Sequence, residues 1–325
     1  MDFELTPGQV HWQRVGTAVG ELCERSQSAA EIIAAAGERG LLDPVVSPLE
    51  RVLCIDAAST ESVTVGMALA LHMACLWSLD GASAAASLRD GSRVGALALS
   101  SDALPQVHDA RLSGQVRWVM PATPDGLAIV GAQAGEGVDA CALSLGAPGV
   151  TVHAVTTVGL PGLRAVHLEC RDVQVERIGP PMPVMARVRL CMAAVGLGLA
   201  RRAVREALAC ARGTSRGAGG EQTAQGLIAD AATELDAAVM LTWQAALEDL
   251  SLSRASLAKL AATGAALRAV ERAAQVVGAE SFAAGHVIER LTQDVRAIEL
   301  FAGRNEALRE AVAVDLLEPG YGATV

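Results

Sequence analysis

The 325-residue sequence predicts an α+β fold in which helices come first, a sheet second and helices again last. Three observations predict it. Apolar residues recur at every third and fourth position from Thr6 to about Leu88, and helical spacing returns from Pro183 to Leu317. Between Gly95 and about Gly179 the pattern becomes short Val-, Leu- and Thr-rich runs separated by Gly, Pro and Asp. Finally, 51 % of residues are hydrophobic but only 2 % aromatic, so Ala, Val and Leu must build the core, which suits closely packed helices. The block order sets an N-terminal helical domain over residues 1–94, a central antiparallel β domain over 95–182 and a C-terminal helical bundle over 183–325.

The first helix begins after Thr6, an N-cap residue followed by proline, and continues through GQVHWQRVGTAVGELCERS. AAEIIAAAGERGLL is a second helix, separated from its successor by Gly37, Gly40 and the Asp43-Pro44 pair, and VTVGMALALHMACLW is another. The runs VGALALS, ARLSGQVRWVM, LAIVGAQ, ACALSLG, VTVHAV and AVHLECRDVQVERI predict six or seven strands in a compact antiparallel sheet or small barrel. Long helices then begin near Met185, Glu221, Ser253 and Gly285. No fixed-period repeat, low-complexity tract or long linker interrupts the chain, so the blocks are expected to pack on one another.

With 26 basic against 36 acidic residues the net charge is −10, which argues against a nucleic-acid partner. Lys259 is the sole lysine. The seven cysteines stand singly in apolar contexts without metal-ligand spacing, as buried reduced thiols do, and no metal site is expected. The acidic start MDFELTPGQ lacks the features of a secretion signal, and Val63 to Trp77 is shorter than a membrane span. A soluble, cytoplasmic protein is the expectation.

Residue chemistry alone reveals no catalytic constellation. Gly196-Leu-Gly198 lacks a preceding strand and a third glycine, and reads as small residues that let helices approach closely rather than as a dinucleotide fingerprint. The six histidines are dispersed, none in a nucleophile setting. The segment from Arg212 to Gly220 offers backbone N–H groups and two cations, and reads equally as an anion site or a solvated loop.

AAVGLGLARRAV, GEQTAQGLIADAATELDAA, SRASLAKLAATGA, AAQVVGAESF and ERLTQDVRAIELFAGRNEALRE resemble, in that order, the C-terminal helical segments of the acyl-CoA dehydrogenase family. MDFELTPGQ is similar to that family's opening, GALALSS and the segment from Gly114 to Trp118 to its middle strands with their G-x-[KR]-x-W, and DVQVERIG to the close of the β domain. The resemblance implies an N-terminal helical domain, a central β domain and a C-terminal four-helix bundle. It also implies an FAD between the last two and oxidation of an acyl thioester at Cα–Cβ, with a glutamate removing the α-proton while hydride passes to the flavin.

Departures from the family pattern shape the functional expectation. The family's catalytic glutamate falls on Ala302, and the alternative base position on the first bundle helix falls on Val188, so no catalytic residue is expected. The flavin-facing threonine is Met120, the glycine-serine-aspartate loop after Ser100-Ser101-Asp102 is deleted, and the paired glycines become Gly278-Ala279. Ser100, Trp118, Arg212, Arg216, Gln275, Gly278 and Gly303 remain as flavin-site candidates, along with the Asp294/Arg296 pair; an arginine before Asp294 has become Gln293.

The resemblance therefore implies an acyl-CoA dehydrogenase-like flavoprotein subunit, inactive alone and lacking the base. Its partner would be a homologous subunit carrying the glutamate, in a heterotetramer acting on a bulky acyl-CoA or carrier-bound acyl thioester of lipid or steroid metabolism. FAD is retained, shared with the partner or lost. The alternative is a homo-oligomer using the fold for flavin-dependent or non-redox chemistry on a thioester that needs no glutamate. The interface is expected between Gln275 and Leu317, with Leu308 on it, and no membrane partner is expected.

Overall fold

The computed structural model describes residues 4–24, 28–43, 46–79, 81–82, 84–99, 103–213 and 222–317. The N-terminal helices are α1 (Pro7–Leu22), α2 (Ala29–Gly37), α3 (Pro48–Glu61), α4 (Val63–Ser78) and the short α5 (Ala85–Arg89). Thr6 caps α1 as expected: its hydroxyl accepts from the Gln9 amide at 3.3 Å, and the Gln9 side chain accepts from the Thr6 amide at 2.9 Å. Ser47 and Glu50 repeat the device on α3. The C-terminal helices are α6 (Pro181–Gly213), α7 (Gln222–Leu247), α8 (Leu252–Val277), α9 (Val287–Leu300) and α10 (Asn305–Leu317), with a 3-10 turn at Gly278–Phe282.

Between them run β1 (Gly95–Ala98), β2 (Gln106–His108), β3 (Arg111–Val119), β4 (Leu127–Ala134), β5 (Gly137–Ser144), β6 (Val150–Val155), β7 (Ala165–Gln174) and β8 (Glu176–Gly179). Eight strands replace the six or seven expected, because β2 is only three residues long and the run from Ala165 to Ile178 divides into β7 and β8. The sheet order is β6-β7-β3-β2-β4-β5-β8, with β1 added on β4. Most pairings are antiparallel, as expected, while β1 and β2 each pair with β4 in parallel.

Close helix contact is built on glycine. A Cβ at Gly198 of α6 would overlap the carbonyl oxygen of Asp56 and the Cβ of Ser59 on α3, and one at Gly66 of α4 would overlap the Ser59 hydroxyl. A Cβ at Gly196 would lie 3.2 Å from the backbone of Ala262 on α8. The Gly196-Leu-Gly198 segment thus has the packing role read from the sequence. Arg201 on α6 closes the same contact through Asp56, at 2.9 Å; burial raises the carboxyl of Asp56, and Arg201 only partly opposes it. α6 is long and apolar enough to cross a membrane, but its apolar stretch is 72 % buried inside the fold.

His72 of α4 joins the helices to the sheet. Its Nδ1 accepts from the Gly95 amide at 3.1 Å and its Nε2 donates to the Leu88 carbonyl at 3.0 Å, while complete burial lowers its pKa to about 4. Six of the seven cysteines are buried and all are free, as expected. Leu308 corrects an expectation: it is completely buried within the chain, and the exposed apolar residues of α10 are Val314, Leu316 and Leu317.

Candidate functional site

A cleft of about 730 Å³ opens between the sheet and the C-terminal helices. β1 and the residue after it contribute Leu97, Ala98 and Leu99, and β3 with its exit contributes Arg117, Trp118 and Met120. Thr157, Val158 and Gly159 form one rim, Met185 and Val188 come from α6, and Thr292, Gln293, Arg296, Ala297 and Leu300 come from α9. Phe301 and Ala302 complete the wall. Among the described lining residues there is no aspartate, glutamate, histidine or cysteine.

Trp118 owes its position to a bulge. Val116 pairs with Leu168 and Val119 with Val166, so Arg117 and Trp118 together oppose His167 alone. Trp118 takes a φ of 60°, and its amide donates to His167 Nδ1 at 3.2 Å while the two rings meet edge to face at 5.2 Å. The residue at the [KR] position of the expected G-x-[KR]-x-W segment is Val116, which is buried; the cation stands one place later, at Arg117.

The Ala302 turn is held from below. Ala302 has a φ of 59° and Gly303 one of 106°. The buried Lys259 donates from Nζ to the Glu299 and Gly303 carbonyls at 3.0 and 2.6 Å, and Arg189 donates to the Ala302 carbonyl at 3.1 Å and the Ser256 hydroxyl at 2.6 Å. Burial lowers the ammonium of Lys259 to about 7. The opposite rim is pinned by Asp294, whose carboxylate accepts from the Leu160 amide at 2.7 Å; burial raises its pKa to about 6. Gly159 allows this approach, since a Cβ there would lie 3.0 Å from the Gln293 carbonyl carbon.

The structure brings Trp118, Met120, Val188 and Ala302 to one cleft, with Gly303 beside it. Arg212, Gln275 and Gly278 do not line it. The thiol of Cys210 lies 3.9 Å from the Val276 carbonyl, so these three share the other end of α6 and α8, where Arg212 and Gln275 are exposed. Ser100 and Arg216 lie outside the described residues. Sequence reasoning missed Arg117, His167 and the bonds of Lys259. A tryptophan preceded by an arginine, where strand alternation allows only one to face outward, was the available signal for the bulge.

Residues 181–317 match the acyl-CoA dehydrogenase C-terminal domain. The chain is 30 % identical over 189 residues to the 3-sulfinopropanoyl-CoA desulfinase of Paraburkholderia xenovorans (strain LB400), covering 52 % of this chain and 49 % of that relative. It is 29 % identical over 264 residues to the short-chain specific mitochondrial acyl-CoA dehydrogenase of Homo sapiens, covering 70 % and 64 % respectively. The matched stretch thus spans about half to two-thirds of the length of these curated relatives. Butyryl-CoA dehydrogenase from Megasphaera elsdenii shares the fold with a TM-score of 0.88 at 20 % identity, over 98 % of this chain and all of that one.

Proposed function

Because the chain belongs to the acyl-CoA dehydrogenase family, we propose that it is the base-lacking subunit of a heteromeric, cytoplasmic acyl-CoA dehydrogenase-type oxidoreductase. Its partner is a homologue that carries the glutamate, and the pair introduces an α,β double bond into a bulky acyl thioester. Val188 and Ala302 carry this reading: both stand on the cleft wall, they are the residues that the motif resemblance aligns with the family's base, and neither side chain accepts a proton. A positioned general base is typically worth 10²–10⁴-fold.

The cleft fits a flavin in kind. It has a tryptophan wall that a strained bulge holds outward, apolar sides from Leu97, Leu99 and Met185, and, among the described lining residues, no carboxylate to oppose the negative charge a flavin gains on reduction. Trp118 and the backbone of residues 97–99 would hold the ring. FAD, when bound, supplies a hydride acceptor. Val158, Leu300 and Phe301 would exclude water from the acyl chain, while Asp294 and Lys259 keep the two rims in place. Met120, in place of the threonine that the family resemblance leads one to expect, removes a hydroxyl donor. The exposed end at Arg212, Gln275 and Gly278 suits contact with the cofactor of a neighbouring subunit.

One comparison favours a second reading. The desulfinase relative is named for chemistry other than dehydrogenation on a CoA thioester. In that reading the chain is a homo-oligomer performing flavin-dependent or non-redox chemistry that needs no glutamate. Purified chain, alone and coexpressed with its glutamate-bearing homologue, is assayed with FAD, a dye acceptor and a panel of acyl-CoAs. Turnover is expected only in the mixture, and to vanish when the homologue's glutamate becomes glutamine. Dehydrogenation by the chain alone above about 1 s⁻¹, ordinary for an enzyme, overturns the leading reading; a stable yellow homomer without it supports the second.

A further inference from the structure

We propose that Arg117 is an anion-binding residue of the cleft, pairing with a carboxylate or phosphate oxyanion carried by the molecule that fills it. The β3 bulge supports this first. On a regular strand Trp118 would face the same way as Val116, into the sheet core; with two residues opposite His167, Arg117 and Trp118 both face the cleft. The positive φ at Trp118 is a strained state that persists only where surrounding structure enforces it, here the bond to His167.

Charge is the second support. The other lining cation, Arg296, is engaged by Glu299 at 3.2 Å and by Glu271 at 3.9 Å. Thr292 donates to the Ile288 carbonyl at 2.7 Å, and the Gln293 amide donates to Glu289. Arg117 has no hydrogen-bond or ion-pair partner among the described residues, and no described carboxylate lines the cleft. A guanidinium beside apolar walls, with its fork of donors unspent, is matched by a planar or tetrahedral oxyanion. The oxyanion has two possible sources, a phosphate of a nucleotide-bearing ligand or a carboxylate on the acyl group. Choosing between them rests on the function proposed above, whereas anion binding itself does not.

The test therefore begins with a probe independent of that function. Anilinonaphthalene sulfonate and its uncharged analogue N-phenyl-1-naphthylamine are titrated into the wild-type chain, Arg117→Gln, Arg117→Lys and the control Arg14→Gln, an exposed arginine on α1. Loss of a charge-assisted bond predicts that Arg117→Gln binds the sulfonate about 10- to 100-fold more weakly. The neutral dye should bind unchanged, Arg117→Lys should retain part of the affinity, and Arg14→Gln should match wild type. Equal binding of the sulfonate by wild type and Arg117→Gln, or equal weakening of both dyes, overturns the proposal. Fluorescence titration with FAD against riboflavin, and with glutaryl-CoA against butyryl-CoA, then identifies the source. Selective loss of FAD assigns the phosphate, and selective loss of glutaryl-CoA assigns the acyl carboxylate. If the sulfonate discriminates but wild type binds no flavin or acyl-CoA, the anion site stands and the proposed function falls.

Discussion

Replacing Gly198 by alanine should destabilise the chain, although alanine is the better helix former by about 1 kcal/mol. The added methyl would overlap the Asp56 carbonyl oxygen and the Ser59 Cβ, and lie 2.9 Å from the Thr60 amide nitrogen. Backbone atoms cannot rotate away, so α3 must move from α6 and strain the Asp56–Arg201 pair that closes the same contact. Overpacking of this kind costs typically 1–3 kcal/mol, and the displaced ion pair adds to it, so a net loss of about 1–2 kcal/mol remains after the propensity gain. Gly226, inside α7, has nothing within 4 Å of an added Cβ, so Gly226→Ala should instead stabilise by about 0.5–1 kcal/mol. Urea unfolding followed by circular dichroism should therefore move the two midpoints in opposite directions with unchanged slopes. A Gly198→Ala chain at least as stable as wild type would refute the reasoning, because it would mean that α3 and α6 do not touch backbone to backbone.

Leu308→Ala should cost about 2–5 kcal/mol in urea unfolding, as a completely buried leucine does, and Leu308→Asp should yield unfolded chain rather than a folded, dissociated subunit on size-exclusion chromatography. Asp294 has a raised folded-state pKa, so its contribution favours folding below about pH 4 and is lost as pH rises through about 6, by about 3 kcal/mol for a shift of two units. His72 is shifted the other way: its contribution is present above pH 6.5 and lost as pH falls through about 4. The two offset each other, so Asp294→Asn should expose a stability that falls steeply from pH 6.5 to 4 where wild type is nearly flat; parallel urea-midpoint profiles would count against this. Lys259→Met should free the Glu299 and Gly303 carbonyls and speed proteolysis near Ala302, with limited trypsin or chymotrypsin digestion as the measure. Met120→Thr restores a hydroxyl on the cleft wall and should tighten flavin retention, read by absorbance after dialysis.

Much of the fold was legible because its signals are local. The change from helical spacing to short β runs and back located the three blocks, and Thr6 with Gln9 wrote the start of α1 within four residues. Gly196 and Gly198 were readable as packing residues because nothing else about them suited a nucleotide loop. The residue types at positions 188 and 302, valine and alanine where the family resemblance sets a base, were equally legible. That both line one cleft, 114 positions apart in the sequence, was not.

Only the tertiary structure decided how residues distant in sequence meet. The parallel pairing of β1 with β4 joins segments about thirty residues apart, a distance at which hydrophobic period carries no information about direction. Whether Leu308 faces a partner or the chain's own core depends on where α10 docks, because an apolar stripe serves either equally well. Lys259 was a lone lysine until the fold carried the turn of residues 299–303 onto it and gave its ammonium two carbonyls to bind. Arg117 reaches the cleft for the same reason: its residue type was written in the sequence, but its direction was set by one extra residue in β3 opposite His167.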